Sequence, residues 1–175
     1  MERKMETMKR NTRRAFSLVE LVIVVVIIGV IAAIAVPRIS RGARGAGDAA
    51  LRGDLAGLRN AIDMYAAEHN GAWPGADGLE ATFLDQLTKR TDAAGNVGTT
   101  AGTHIYGPYL RGGMPPIPVG PNIGATGIIM TTTTPIQTAV SELTTTAGWV
   151  YNYQTGEIIA NTNDLDEQGV GYDTY

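Results

Sequence analysis

The 175-residue sequence has no cysteine and only two histidines, His69 and His104. Without cysteine an exported domain has to fold without disulfides, and lipoprotein anchoring, which needs a cysteine, is excluded. A histidine-dependent nucleophilic site would have to be built on one of two isolated imidazoles. His69 falls in the last turn of an expected helix, where an imidazole complements the dipole and needs no further role. No glycine-rich strand-to-helix phosphate loop is present either, because the Gly42 to Gly47 cluster lies between helical segments and not after a strand. No catalytic constellation is visible, and an enzyme is not expected.

Basic charge is scarce outside the beginning of the chain. The first 15 residues hold Arg3, Lys4, Lys9, Arg10, Arg13 and Arg14 against Glu2 and Glu6, and residues 16–175 carry 8 basic and 15 acidic side chains, a formal −7. An acidic balance of that size argues against nucleic-acid binding through a basic surface. The length leaves room for one modest soluble domain, since domains typically run to about 100–150 residues.

Hydrophobic residues, in contrast, are concentrated. From Phe16 to Val36 the 21 residues contain one charge, Glu20. At about 1.5 Å per residue a helix of that length spans roughly 31 Å, the thickness of a bilayer's hydrocarbon core. Six basic residues before the run, against Arg38, Arg41 and Arg44 beyond it, place the N-terminus in the cytoplasm and export everything after Pro37. A bare carboxylate in such a helix is costly, up to about 2.5–3.5 kcal/mol at the centre and less near an end, so Glu20 needs a partner.

The sequence Arg13-Arg14-Ala15-Phe16-Ser17-Leu18-Val19-Glu20 sets a basic leader directly against the apolar helix, with the acid five residues into it. It resembles a class III prepilin signal, the signal of type IV pilins and of the pseudopilins of type II secretion. Gly29 and Pro37 also fall where that family's pattern places them, as the positions of a break in the helix. The resemblance implies that a prepilin peptidase/methyltransferase cuts between Ala15 and Phe16 and methylates the new Phe16 amine. Ala15 departs from the glycine usual before the cut. The resemblance further implies that Phe16 and Glu20 act in assembly.

Beyond Pro37, Leu51, Leu55, Leu58, Ile62 and Tyr65 recur at alternating spacings of four and three, an apolar helical stripe. Asp48, Arg52, Asp54, Arg59, Asp63 and Glu68 fall off the stripe, facing solvent or a neighbouring subunit. The helix should stop near Asn70-Gly71. With the span it makes one long helix, bent or interrupted at Pro37 and softened by Gly42, Gly45 and Gly47, which could instead form a short linker.

Trp73-Pro74-Gly75 turns the chain, and Leu79 to Leu87 has the spacing of a short helix. Residues 91–104 read as a loop, Tyr106 to Leu110 as a strand interrupted by Pro108, and the segment holding Pro115, Pro116, Pro118 and Pro121 as extended chain unsuited to a central strand. Gly127 to Thr133 is a β-type run. Trp149 to Tyr153, a turn at Gln154-Thr155-Gly156 and Glu157 to Ala160 form a hairpin with Trp149, Tyr151 and Tyr153 on one face. Those aromatics could be a binding surface, but a sheet packed against the helical stripe is the simpler reading. The expected architecture is α+β, a long N-terminal helix, half membrane and half amphipathic, on a small antiparallel sheet.

The run from Leu58 through Tyr65 to Trp73-Pro74, followed by Gly78-Leu79-Glu80-Ala81, resembles the major pseudopilin of type II secretion; the likeness fades after residue 90. That resemblance implies a pilin-like fold and the possibility of calcium near the C-terminus. Asp164, Asp166, Glu167 and Asp173 supply oxygen donors suited to a hard cation, but their spacing matches no EF-hand loop, and a solvated acidic terminus is the simpler reading.

The reading is therefore a pseudopilus subunit of type II secretion, with a leader at 1–15, a transmembrane and filament-core helix at 16–36, its amphipathic continuation at 37–70 and a periplasmic globular domain at 71–175. Its partners are copies of itself, the prepilin peptidase, the inner membrane and the secretion or pilus machinery. The alternatives are a type IV pilus subunit for adhesion, motility or DNA uptake, and a secreted or anchored binding domain released after Ala33-Ile34-Ala35 by signal peptidase.

Overall fold

The computed structural model describes residues 16–137 and 147–175. The apolar spacings of the sequence become α1, Leu18–Glu68, followed by α2, Glu80–Thr88, then three strands, β1 (Gly127–Thr131), β2 (Ala147–Asn152) and β3 (Ile158–Ala160), and a 3-10 turn at Tyr172–Thr174. The chain divides into two compact units, one ending at Arg41 and the other running from Gly42 to Tyr175.

The helical assignment of α1 passes through Gly29, Pro37, Gly42, Gly45 and Gly47 without interruption. An interruption at Pro37 is therefore not found, and neither is a linker at the glycines. Proline removes one donor from the ladder and glycine costs about 1 kcal/mol in a helix interior, amounts that flanking turns can outweigh. Gly47 has a packing role, because a Cβ there would sit 3.0 Å from the Val119 side chain. At the other end α1 closes as the sequence suggests: Asn70 and Gly71 adopt positive φ, 55° and 83°. The Gly71 N–H then returns to the Ala66 carbonyl at 2.8 Å, the bond of a Schellman closure.

In the second unit the stripe Leu51, Leu55, Leu58, Ile62 and Tyr65 is buried, at most 2% exposed, in one cluster with Phe83 and Leu87 of α2, Ile128 of β1, Trp149 and Tyr151 of β2, and Ile158 and Ala160 of β3. Alternation along β2 sends Trp149 and Tyr151 into that cluster, while Val150 is buried as well. The polar tips of the aromatics are satisfied by irregular chain: Trp149 Nε1 donates to the Pro115 carbonyl at 2.9 Å and the Tyr151 hydroxyl to the Pro74 carbonyl at 3.1 Å. Buried tyrosine and tryptophan normally find such partners. The proline-rich segment also contributes Ile117 and Val119 to the core.

The sheet is mixed, in the order β1-β2-β3. The β2–β3 hairpin is antiparallel, pairing Trp149 with Ala160 and Tyr151 with Ile158, but β1 runs parallel to β2. The reason is the connection: 15 residues separate Thr131 from Ala147, and a parallel pair needs a crossover of about a dozen or more, whereas antiparallel partners can be joined by a tight turn. Tyr106 to Leu110 is not a strand. Tyr106 makes a single bridge to Thr91, and Pro108 has no N–H to extend the ladder.

Both sheet edges are capped from the helices. Glu80 Oε1 accepts the Ile128 N–H of β1 at 2.9 Å, and Arg59 Nη2 donates to the Ile158 carbonyl of β3 at 3.1 Å. Charged side chains on edge groups discourage pairing with a foreign strand.

Candidate assembly site

Among the described residues, nothing packs on the helix from Leu18 to Val36. All 15 large apolar side chains from Phe16 to Val36 are exposed, from 47% at Val24 to 80% at Leu18. Burying one such side chain is worth about 1.5–3 kcal/mol, so a continuous exposed run of this kind marks a surface that another phase or another chain covers. Leu18–Val36 has a mean hydropathy of 3.2 and suffices by length and composition to cross a membrane.

Phe16 precedes the helix, Ser17 offers its carbonyl to the Leu21 N–H at 3.2 Å, and Glu20 lies in the first turn. A carboxylate there meets the positive end of the helix dipole, worth about 0.3–1 kcal/mol. The spacing of Ser17 and Glu20 is also that of a capping box, a local signal for the helix start carried by the sequence itself. Ala15, on the other side of the expected cut, lies outside the described residues.

Residues 10–36 match the family model of the prokaryotic N-terminal methylation motif. The chain carries a class III prepilin signal. Such a signal is typical of type IV pilins and pseudopilins, and the fold of long helix plus small sheet agrees with a pilin-like architecture. The signal covers the leader and apolar helix only, and does not separate a pseudopilus from a pilus. No curated protein and no solved structure matches the chain. A prepilin signal implies processing by prepilin peptidase and filament assembly in general terms, and the pilins it typifies are structural subunits.

The off-stripe residues of α1 in the second unit do not all face solvent. Asp48 is buried and accepts the Tyr172 hydroxyl at 2.6 Å. Arg52 Nη2 reaches Asp166 Oδ2 at 3.1 Å and the Tyr175 hydroxyl at 2.6 Å, with its guanidinium 4.4 Å from the centre of the Tyr175 ring. Arg59 bonds the main-chain oxygen of Tyr175. These positions, at i, i+4 and i+11, share a helix face, and the segment after β3 folds over it. Hydrophobic periodicity could not reveal this, because the signal lies in pairs separated by more than a hundred residues.

Tyr175's hydroxyl, then main-chain N–H groups and Arg52, hold the Asp166 carboxyl below its ordinary range. Burial, followed by the hydrogen bond to Asp48, pushes the Tyr172 phenol up. Among the described residues no group of three or more acids or histidines converges on one point. Asp164 and Glu167 are exposed, and Asp173 Oδ1 lies 2.5 Å from where a Cβ on Gly171 would be.

His69 sits just past the last turn of α1 and is buried, 3% exposed. Its Nδ1 lies 2.7 Å from the Tyr65 carbonyl and its Nε2 2.9 Å from Thr91 Oγ1. A carbonyl can only accept, so Nδ1 carries the proton and Nε2 accepts from the threonine. The imidazole stacks on Tyr65 at 3.9 Å and pins the 91–106 loop to the helix end. Its role is structural, as expected, but it is held by a hydrogen bond at each ring nitrogen and not by the helix dipole alone. Burial pushes the Tyr65 phenol up to about 12, so it stays protonated.

Proposed function

We propose that this chain is a structural subunit of the pseudopilus of a type II protein secretion system, made as an inner-membrane precursor and assembled into a periplasmic filament. The observation that carries the reading is the prepilin signal fused to an exposed apolar helix that holds one acid in its first turn. The likeness of Leu58–Pro74 and Gly78–Ala81 to the major pseudopilin, and the lack of any cysteine for the C-terminal disulfide loop of one pilin class, favour a pseudopilus over a pilus.

In this mechanism the basic leader holds the N-terminus in the cytoplasm while the rest is exported. The peptidase cuts between Ala15 and Phe16 and methylates the Phe16 amine. Glu20 then pairs with the Phe16 amine of a neighbouring subunit as the apolar helices Leu18–Val36 leave the bilayer and pack in the filament. The pair offsets the desolvation of both charges only when both are present, which selects axial register. The subunit itself performs no chemistry.

Glu20→Gln tests this, because it preserves size and removes charge. The variant should insert, be cut and melt like the parent, yet enter filaments poorly: breaking a buried pair costs about 3–5 kcal/mol, at least a hundredfold in an assembly equilibrium. Normal yield of sheared filaments would remove Glu20 from the mechanism. Deletion of the gene should stop protein export and leave surface pili intact; loss of pili with normal export would assign the chain to a pilus.

A further inference from the structure

The acids after β3 suggest a hard-cation site by composition, and their geometry permits a direct test of fit. A calcium ion takes six to eight oxygen ligands, commonly several carboxylates turned toward one point. Asp166 is the one buried acid of the four, with 1% of its side chain exposed, and its oxygens are already engaged. Oδ1 accepts the N–H groups of Gln168 and Val170, both at 2.8 Å. Oδ2 accepts Arg52 Nη2 at 3.1 Å and the Tyr175 hydroxyl at 2.5 Å. Four donors match the roughly four lone-pair directions of a carboxylate. The main-chain oxygen of Asp164 accepts the Tyr172 N–H at 3.1 Å. A metal at Asp166 would have to displace the guanidinium or lie beside it, charge against charge. The residues do not fit the ion.

We infer that Arg52 is the resident cation of the 164–175 segment, and that this segment is held on α1 without a metal. The guanidinium enters from the helix, neutralises the buried carboxylate of Asp166 and lies on the ring of Tyr175. One turn earlier Asp48 takes the Tyr172 hydroxyl, and two turns later Arg59 takes the main-chain oxygen of Tyr175, so the strap is fastened at three levels of one helix face. Arginine suits the middle level because its planar fork can donate to two acceptors and stack on an aromatic at once, which an ammonium does less well.

The test uses the full chain in detergent micelles. Thermal unfolding followed by tryptophan fluorescence should give one midpoint in chelator and in millimolar calcium, and terbium, a luminescent calcium mimic, should give no saturable signal sensitised by Tyr172 or Tyr175. Arg52→Gln should speed limited proteolysis of the strap by roughly tenfold to a hundredfold, as expected for losing a charge-assisted hydrogen bond from a locally opening segment. Arg52→Lys should fall between the two. If Arg52→Gln does not fold, Tyr175→Phe, which deletes only the hydroxyl on Asp166, should loosen the strap in the same direction. A midpoint raised by calcium, saturable terbium binding, or proteolysis of these variants at the parent rate would overturn the inference.

Discussion

Leu58 gives the sharpest test of how α1 meets the sheet. It is 1% exposed in the cluster that contains Leu55, Ile62, Trp149 and Tyr151. Leu58→Ala removes three carbons from that contact and leaves a cavity the helix cannot close by moving, since its neighbours one turn away on either side are themselves buried. Such changes cost about 2–5 kcal/mol, a large part of the 5–15 kcal/mol typical of a domain. For the 134 residues from Gly42 to Tyr175 an unfolding entropy of about 2.1 cal/mol/K per residue converts that loss into a fall of about 7–18 °C in melting temperature. The chain has two tryptophans, Trp73 and Trp149, both in this unit, so intrinsic fluorescence follows it even with the apolar helix in a micelle. Leu79→Ala is the control: Leu79 is 59% exposed just before α2, and its truncation should cost no more than about 0.5 kcal/mol. A fall below about 2 °C for Leu58→Ala would mean that the stripe is not packed on the sheet.

The mature chain should begin at N-methylated Phe16, which intact mass and N-terminal fragmentation would establish; a start at Val36 would mean an ordinary signal peptide, and retention of Met1 an unread motif. Gly156→Ala should destabilise by more than about 1 kcal/mol, because Gly156 has φ 76° and a Cβ there would meet the Trp73 ring at 2.5 Å. A denaturant midpoint unchanged from the parent would show that the hairpin turn and Trp73 do not meet.

The local elements were legible because each is encoded by neighbours in the chain. The prepilin signal, the apolar span and the stripe from Leu51 to Tyr65 depend on spacings of three to five residues, and the αL closure at Asn70-Gly71 on two adjacent residues. The hairpin follows from alternation around Gly156. Glu20 is set apart by composition alone, as the one charge between Phe16 and Val36.

Tertiary structure decided what local spacing cannot carry. The parallel pairing of β1 with β2 depends on where a 15-residue connection returns, not on any pattern within Gly127–Thr131. Asp48, Arg52 and Arg59 read as a solvated face because polar residues off an apolar stripe usually are one; they became buried or bonded when the segment from Asn161 to Tyr175 folded across them and supplied Tyr172, Asp166 and Tyr175. His69 likewise looked like a helix-end charge until Thr91, 22 residues away, closed its second nitrogen. A polar side chain takes its meaning from its partner. When that partner lies far along the sequence, only the folded chain brings the two within hydrogen-bond reach.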